Sequence, residues 1–281
     1  MGHVVRQYKN DLKRGSPVTM ALLRFLLATG ILLVMHKKWE PPAKMEKAPA
    51  ARLALSGFLG ITLYFILENS GVKLTTASNT ALITSVIPLI ATALDMLWYK
   101  SKLSLLHGAG MLLALAGTYL TLTENGRLHF DSVHIQGNLL ILGATATWAL
   151  YTLFNKSFRT NYSSLTVTTY QHICGTVLLL PLALAEYKEW KMISIQAMAN
   201  IVYLAVFCSV GRYLLYSYAL RKLDVAAATM YLNLVPVIGT VSGTIWLKET
   251  LSPIQLAGGG IVMAAIVLVH MKKRKQAWAE V

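Results

Sequence analysis

The sequence predicts an all-α membrane protein, a polytopic helical bundle of two inverted repeats, and three observations predict it. The 281 residues are 55% hydrophobic and only 14% charged, whereas a soluble domain carries about 25% charged residues. Nine long apolar stretches follow one another with short connections. The second half of the chain also matches the first at one constant offset. A β-barrel is excluded, because the stretches lack strict alternation of apolar and polar residues.

The stretches fall at 17–36, 53–72, 77–98, 105–123, 137–157, 165–187, 197–219, 225–246 and 253–270. Most reach the roughly 20 residues that cross a hydrocarbon layer about 30 Å thick. The first carries Arg24, the second Tyr64, Glu68 and Asn69, and the third Pro88 and Asp95. The fifth, sixth and seventh carry Trp148, His172, and Arg212 with Tyr216; the eighth carries Asn233 and Pro236. "AGGGIVMAA" in the ninth lacks the Lys-Ser/Thr of a nucleotide loop and reads as close helix packing through small residues. Cys174 and Cys208 lie within apolar stretches and read as packing residues, not a disulfide.

A formal net charge of +14 invites a nucleic-acid partner, but the placement of the charge argues against one. Fifteen Lys or Arg lie after the first, third, fifth and seventh stretches and in the tail "KKRKQ". The opposite connections hold five, or nine with Arg6, Lys9, Lys13 and Arg14 of the N-terminus. This asymmetry predicts a cell-membrane protein with its C-terminus in the cytoplasm. Asn161-Tyr162-Ser163 fits a glycosylation acceptor, yet falls on the cytoplasmic side and is expected to be idle.

A shift of 148 positions lays Pro88 on Pro236, Trp98 on Trp246, Lys100 on Lys248, Ser104 on Ser252 and Gly110 on Gly258. The same shift places Lys73 on Arg221 and Arg24 on His172. A unit with an odd number of helices enters the membrane from the opposite face when it is copied. The halves are therefore expected to be inverted, with a substrate site at their interface. The expected organisation is a first repeat at 1–123, a connection at 124–136, a second repeat at 137–270 and a basic tail at 271–281. Pro88 and Pro236 are expected midway through equivalent helices, either as kinks at a central cavity or as setters of curvature for packing.

The pairing of "TLYFILENSGVKLTTASNTALITSVIPLIATAL" with "GRYLLYSYALRKLDVAAATMYLNLVPVIGTVSGTIWLKETLSPIQLAGGGIVMAAIVLV" resembles the EamA-type repeat of the drug/metabolite transporter superfamily. "SPVTMALLRF" is similar to that family's entry to a long helix. The resemblance covers about Ser16 to His270. It implies a ten-helix bundle of two inverted five-helix halves, of which about nine helices are present here. On that resemblance the family's first helix is expected to be missing from this sequence, or to survive as a remnant in "MGHVVRQY", through either a start assigned too late or a nine-helix remnant. Lys100-Ser101 stands where the second half has Lys248-Glu249, so an acidic residue of the family pattern is present only once.

Ionisable and amide groups inside a bilayer are costly and mark function unless they find partners. Arg24 and His172 occupy matching places and are expected near mid-depth, binding a substrate carboxylate, with His172 also able to take a proton near neutral pH; the alternatives are that Arg24 snorkels or pairs with a backbone carbonyl and that His172 makes one interhelical hydrogen bond. Arg212 and Tyr216 share a helix face as residues i and i+4 and read as a cavity-lining pair. Asn233, Trp148 and Tyr64 complete the substrate-binding candidates, the aromatics being equally readable as packing. Glu68 and Asp95 are candidates for a coupling proton, with Asp95 alternatively paired to Lys100 or Lys102.

The function expected is a secondary-active transporter, an exporter of small organic metabolites or amino-acid-like solutes working by alternating access. The alternative is a non-transporting subunit or truncated remnant. No zinc-spaced histidine pair, Asp-rich diphosphate motif or nucleophile turn points to an enzyme. No cofactor or metal is implied. The expected partners are the lipid bilayer, a small-molecule substrate and a coupling proton or solute, with a homodimer compatible and no nucleic acid.

Overall fold

The computed structural model describes residues 17–40, 47–122, 135–158, 162–189, 194–238, 241 and 252–279. The described elements are helical, with no strand among them. In chain order they are α1 (Pro17–Trp39), α2 (Lys47–Gly57), α3 (Tyr64–Leu74), α4 (Ala77–Thr84), α5 (Ile87–Tyr99) and α6 (Leu105–Leu122). Then follow α7 (Ile135–Ser157), α8 (Ser164–Ala185), α9 (Ile195–Tyr203), α10 (Arg212–Lys222), α11 (Val225–Met230) and α12 (Pro253–Ala279). Among the described residues seven helices are long and apolar enough to cross a membrane, and Val225–Ile238 and Pro253–Val269 are shorter apolar helices.

The packing suits lipid as solvent. Leu97 and Leu215 are 78% and 71% exposed, while Trp148, Gln171, His172 and Tyr213 are fully buried. Outward leucines cost nothing against acyl chains, so polar groups gather inside, where partners exist.

Elements separated by the 148-residue shift behave alike. α2 runs into α3, and α9 into α10, through π-helical segments at Phe58–Leu63 and Leu204–Gly211. Thr76 caps α4 by accepting from the Asn79 N–H, and Asp224 caps α11 by accepting from Ala227 N–H. The equivalent helices α1 and α8 pack together, α5 packs on α11, the counterpart of α4, and the equivalent helices α6 and α12 pack together. The last pair is held close by glycine: a Cβ on Gly258 would stand 2.5 Å from the Thr121 nitrogen and 2.6 Å from the Gly117 oxygen. "AGGGIVMAA" thus packs through Gly258, while Gly260 has open space around it.

The prolines do not kink continuous helices. α4 ends at Thr84, Ser85 and Val86 turn, and α5 begins anew with Pro88 in its first turn. There the missing N–H is one the helix leaves unbonded anyway, so a break is cheaper than a mid-helix proline. The Ser85 hydroxyl donates to the Leu82 oxygen at 2.6 Å, satisfying one carbonyl at the break. In the second half α11 tightens into a 3-10 turn at Tyr231–Asn233 before the helical residues 234–238 that contain Pro236. Both prolines are buried. Trp246, Lys248, Glu249 and Leu251 lie outside the described residues, as do "MGHVVRQY" and Asn161.

Polar ties collect the helix ends into two faces. One holds Asp95 with Lys156, Glu40 with Ser163, and the Arg221 guanidinium on the Tyr162 carbonyl. α12 ends on this face too, since Gly110 at the start of α6 sits against Val269. The other face holds Glu186 with Thr19, and Thr75 and Asn79 with Asn138.

Candidate polar site in an aromatic core

α1, α3, α7, α8 and α10 converge on an aromatic cluster. Trp148 lies 4.9 Å from Tyr64, 5.0 Å from Tyr151, 5.5 Å from Tyr213 and 5.5 Å from Tyr216, centroid to centroid. Phe25 joins from α1, 4.8 Å from Phe65 and 6.3 Å from Tyr213. Four predicted aromatic or cationic candidates, Tyr64, Trp148, Arg212 and Tyr216, therefore share one place. The rings pack tilted or edge-to-face against one another, so packing is their first role in this conformation.

The charged groups sit around these rings. The Arg212 guanidinium carbon lies over the Trp148 ring, 4.2 Å from its centroid, a cation–ring contact that a weakly hydrated guanidinium favours. Its Nε is buried without a hydrogen-bond partner among the described residues. Glu68, one turn beyond Tyr64 on α3, accepts from the Tyr64 hydroxyl at 2.8 Å. Arg212 is within electrostatic reach of both Tyr64 and Glu68, and both charged residues are only partly buried. A cation and an anion thus face one aromatic wall without forming a direct ion pair.

Arg24 and His172 meet across Phe25. Arg24 Nε donates to Ser209 Oγ at 2.8 Å, and its guanidinium lies 4.8 Å from the Phe65 ring and 5.4 Å from Phe25. His172 lies 5.5 Å from Phe25 and 4.8 Å from Tyr213. His172 Nδ1 sits 2.9 Å from the Thr168 carbonyl, which can only accept, so Nδ1 carries a proton. Nε2 of the neutral ring is then an acceptor, and it is buried without a partner among the described residues.

The π-helical segments serve this arrangement. The Tyr213 hydroxyl donates to the Gly60 carbonyl at 2.5 Å, inside the first segment, where π-helical winding displaces the regular i to i−4 ladder. Ser209 belongs to the second. Below the rings, Asn155 Nδ2 donates to the Tyr151 hydroxyl at 2.9 Å, that hydroxyl to Gln171 Oε1 at 3.3 Å, and Gln171 Nε2 to Ser56 Oγ at 2.8 Å. Thr152 and Tyr216 share a hydrogen bond of 2.6 Å. Sequence reading missed Phe25, Ser209, Tyr213 and Gln171 as members. Ser209 stands one turn before Arg212, and Gln171 adjoins His172, but neither has a spacing that distinguishes it from ordinary polar residues.

Other candidates lie elsewhere. Asp95 pairs with Lys156 Nζ at 2.6 Å, not with Lys100 or Lys102. Lys100 takes the left-handed conformation, φ 50°, that ends α5 and turns the chain away, while Lys156 on α7 crosses at the level of the carboxylate. Asn233 is buried in the second helix break, and neither end of its amide has a partner among the described residues. Cys174 and Cys208 are free thiols.

A helical bundle with apolar outer faces and a polar, aromatic interior between repeat-related helices defines a multi-span membrane protein of the transporter class. The EamA-like transporter family matches residues 2–123 and 135–271, and the chain belongs to that family. An uncharacterized transporter of Archaeoglobus fulgidus is 26% identical over 268 residues, 95% of this chain and 92% of that protein. The uncharacterized inner membrane transporter YedA of Escherichia coli is 29% identical, over 92% of this chain and 82% of its own. A probable terminal-alkyne amino-acid exporter of Streptantibioticus cattleyicolor is 27% identical, over 80% of this chain and 76% of its own. A solved crystal structure superposes with a TM-score of 0.80 at 15% identity, covering 97% of this chain and 94% of that one, and shares the fold.

Proposed function

We propose that this membrane transporter is a secondary-active exporter of amino-acid-like solutes, working by alternating access across the cytoplasmic membrane with its C-terminus in the cytoplasm. One observation carries the substrate class: Arg212, whose buried Nε has no partner among the described residues, and Glu68, which accepts from Tyr64, border the same aromatic wall without a direct ion pair between them. A buried donor with no protein partner is satisfied by a ligand or by water. A zwitterion fits both charges, its carboxylate on Arg212 and its ammonium on Glu68, with Trp148 and Tyr64 against the apolar part. The description of the Streptantibioticus relative as an amino-acid exporter supports this class. The Lys/Arg asymmetry supports the orientation, and the 148-residue correspondence supports two inverted copies around the site.

The test is counterflow of a labelled amino-acid panel in proteoliposomes. The parent should exchange at least one zwitterionic amino acid, and R212Q should raise its KM at least tenfold. E68Q should discriminate against the ammonium end, weakening amino acids more than the matching carboxylic acids. R24A and H172A should each slow exchange. Parent-like KM values in R212Q and E68Q would remove this site.

A further inference from the structure

α1 and α8, equivalent under the repeat, lie antiparallel along their whole lengths. Their middles touch where the Thr29 and Thr176 hydroxyls share a hydrogen bond of 2.8 Å. Each helix is followed at once by a glutamate, and each glutamate reaches the first turn of the other helix. Glu186, just past α8, accepts from the Thr19 N–H at 3.1 Å and from the Thr19 hydroxyl at 3.4 Å, at the start of α1. Glu40, just past α1, accepts from the hydroxyls of Ser163 and Thr166, at the start of α8. Ser163 is the residue that caps α8, accepting from the Thr166 N–H at 2.9 Å. His36, one turn before Glu40, lies 3.6 Å from its carboxylate and 3.3 Å from the Thr166 hydroxyl.

The exchange is reciprocal and the two ties lie at opposite ends of the helix pair. Carboxylates are favoured at helix starts, where unbonded N–H groups and the helix dipole present positive charge. Between the ties lie Arg24 on α1 and His172 on α8, so the pair forms one wall of the polar core. Separating α1 from α8 at the Glu40 end would open that core toward the face where α12 ends. Separating them at the Glu186 end would open it toward the other face. The structure has both ties made.

We propose that Glu40 and Glu186 are the two gate latches of the transport cycle, released one at a time. This rests on the transporter reading of the polar core. Hydrogen bonds to a charged acceptor are strong enough to hold a two-state gate, yet few enough, two on each glutamate across the helix pair among the described residues, for a substrate's differential contacts to release them. A static cap would behave differently: losing it would loosen the protein without favouring either face.

The experiment reads access directly. In a background of Cys174→Ala and Cys208→Ser, Ala149→Cys places a thiol beside Trp148 in the core, where Ala149 is fully buried. A membrane-impermeant maleimide is applied to vesicles of known orientation, from each face in turn. E40Q should raise labelling about tenfold from the face bearing the C-terminus and leave the other face unchanged; E186Q should do the reverse. Equal labelling from both faces, labelling from the wrong face, or no change in either variant overturns the proposal. If a variant is not recovered folded, a short bis-methanethiosulfonate, which loses a sulfinate for each thiol it caps, joins Glu40→Cys to Thr166→Cys, or Thr19→Cys to Glu186→Cys. Labelling that persists from the locked face then overturns it. The assay needs no substrate, so switching access without solute flux would sink the transporter reading alone. Flux with unswitched access would sink the latches alone.

Discussion

Arg212 shows at single-residue scale how a membrane interior tolerates a charge. Its guanidinium lies on Trp148, 4.2 Å from the ring centroid, so ring electrons replace part of the lost hydration. R212K keeps the charge but loses the flat contact and the fork of donors. We expect it to raise KM about threefold, between the parent and R212Q, as read by counterflow titration. The Asp95–Lys156 pair makes a second residue-scale prediction. Its side chains are 6% and 17% exposed, so D95N leaves a mostly buried ammonium unpaired and should cost about 3 kcal/mol. D95N combined with K156M should recover more than half of that loss, measured by thermal unfolding in detergent micelles. Full loss in the double variant would show that the pair does more than neutralise itself. Of the individual residues, Arg24, His172, Arg212 and Tyr216 could be picked from the sequence, because polar groups in apolar runs stand out. Lys156 could not be assigned to Asp95, since three lysines lie near one level and only the chain's left-handed turn at Lys100 decides among them.

At the scale of elements, the two π-helical segments place side chains that later turns would otherwise misdirect. Each residue advances a helix by about 100°. Deleting Leu63 would restore α-helical winding in the first segment and take back into the helix ladder the Gly60 carbonyl that the Tyr213 hydroxyl now bonds. The expected outcome is loss of counterflow with helix content unchanged by circular dichroism; retained KM would show that the segment is only a packing detail. Glycine sets the other contact that matters. G258V pushes a side chain into Gly117 and Thr121 of α6, where a Cβ already falls at 2.5 Å, and should destabilise the protein by about 2 kcal/mol. G260V, with open space around it, should leave the unfolding midpoint unchanged. The apolar spans themselves were legible because lipid demands about twenty apolar residues in a row. The π-helical segments were not, since "FLGITL" and "LAVFCSVG" carry the same apolar signal as any spanning α-helix. Nor was the break at Ser85 and Val86. A proline marks a disturbance, but whether it bends a helix or begins a new one depends on what the neighbouring carbonyls can bond to.

For the whole molecule, the placement of Lys and Arg predicts the face on which the chain ends. A green fluorescent protein fused after Val281 should fluoresce, and alkaline phosphatase fused there should be inactive. The opposite pattern would reverse the exporter orientation while leaving the site geometry intact. Composition and the run of apolar stretches determined by themselves that the chain is a helical membrane protein. The constant 148-residue offset, together with an odd helix count, brought two inverted copies and a seam between them within reach of the sequence alone. Those signals are carried by position and period, which survive in one dimension. Only the tertiary structure decided that Arg24 and His172 meet across Phe25, that Glu68 and Arg212 face one aromatic wall, and that Glu40 and Glu186 each cross to the other repeat's helix. Such contacts join residues more than a hundred positions apart. Their distances are set by helix rotation and tilt, which side-chain packing chooses and linear spacing leaves open.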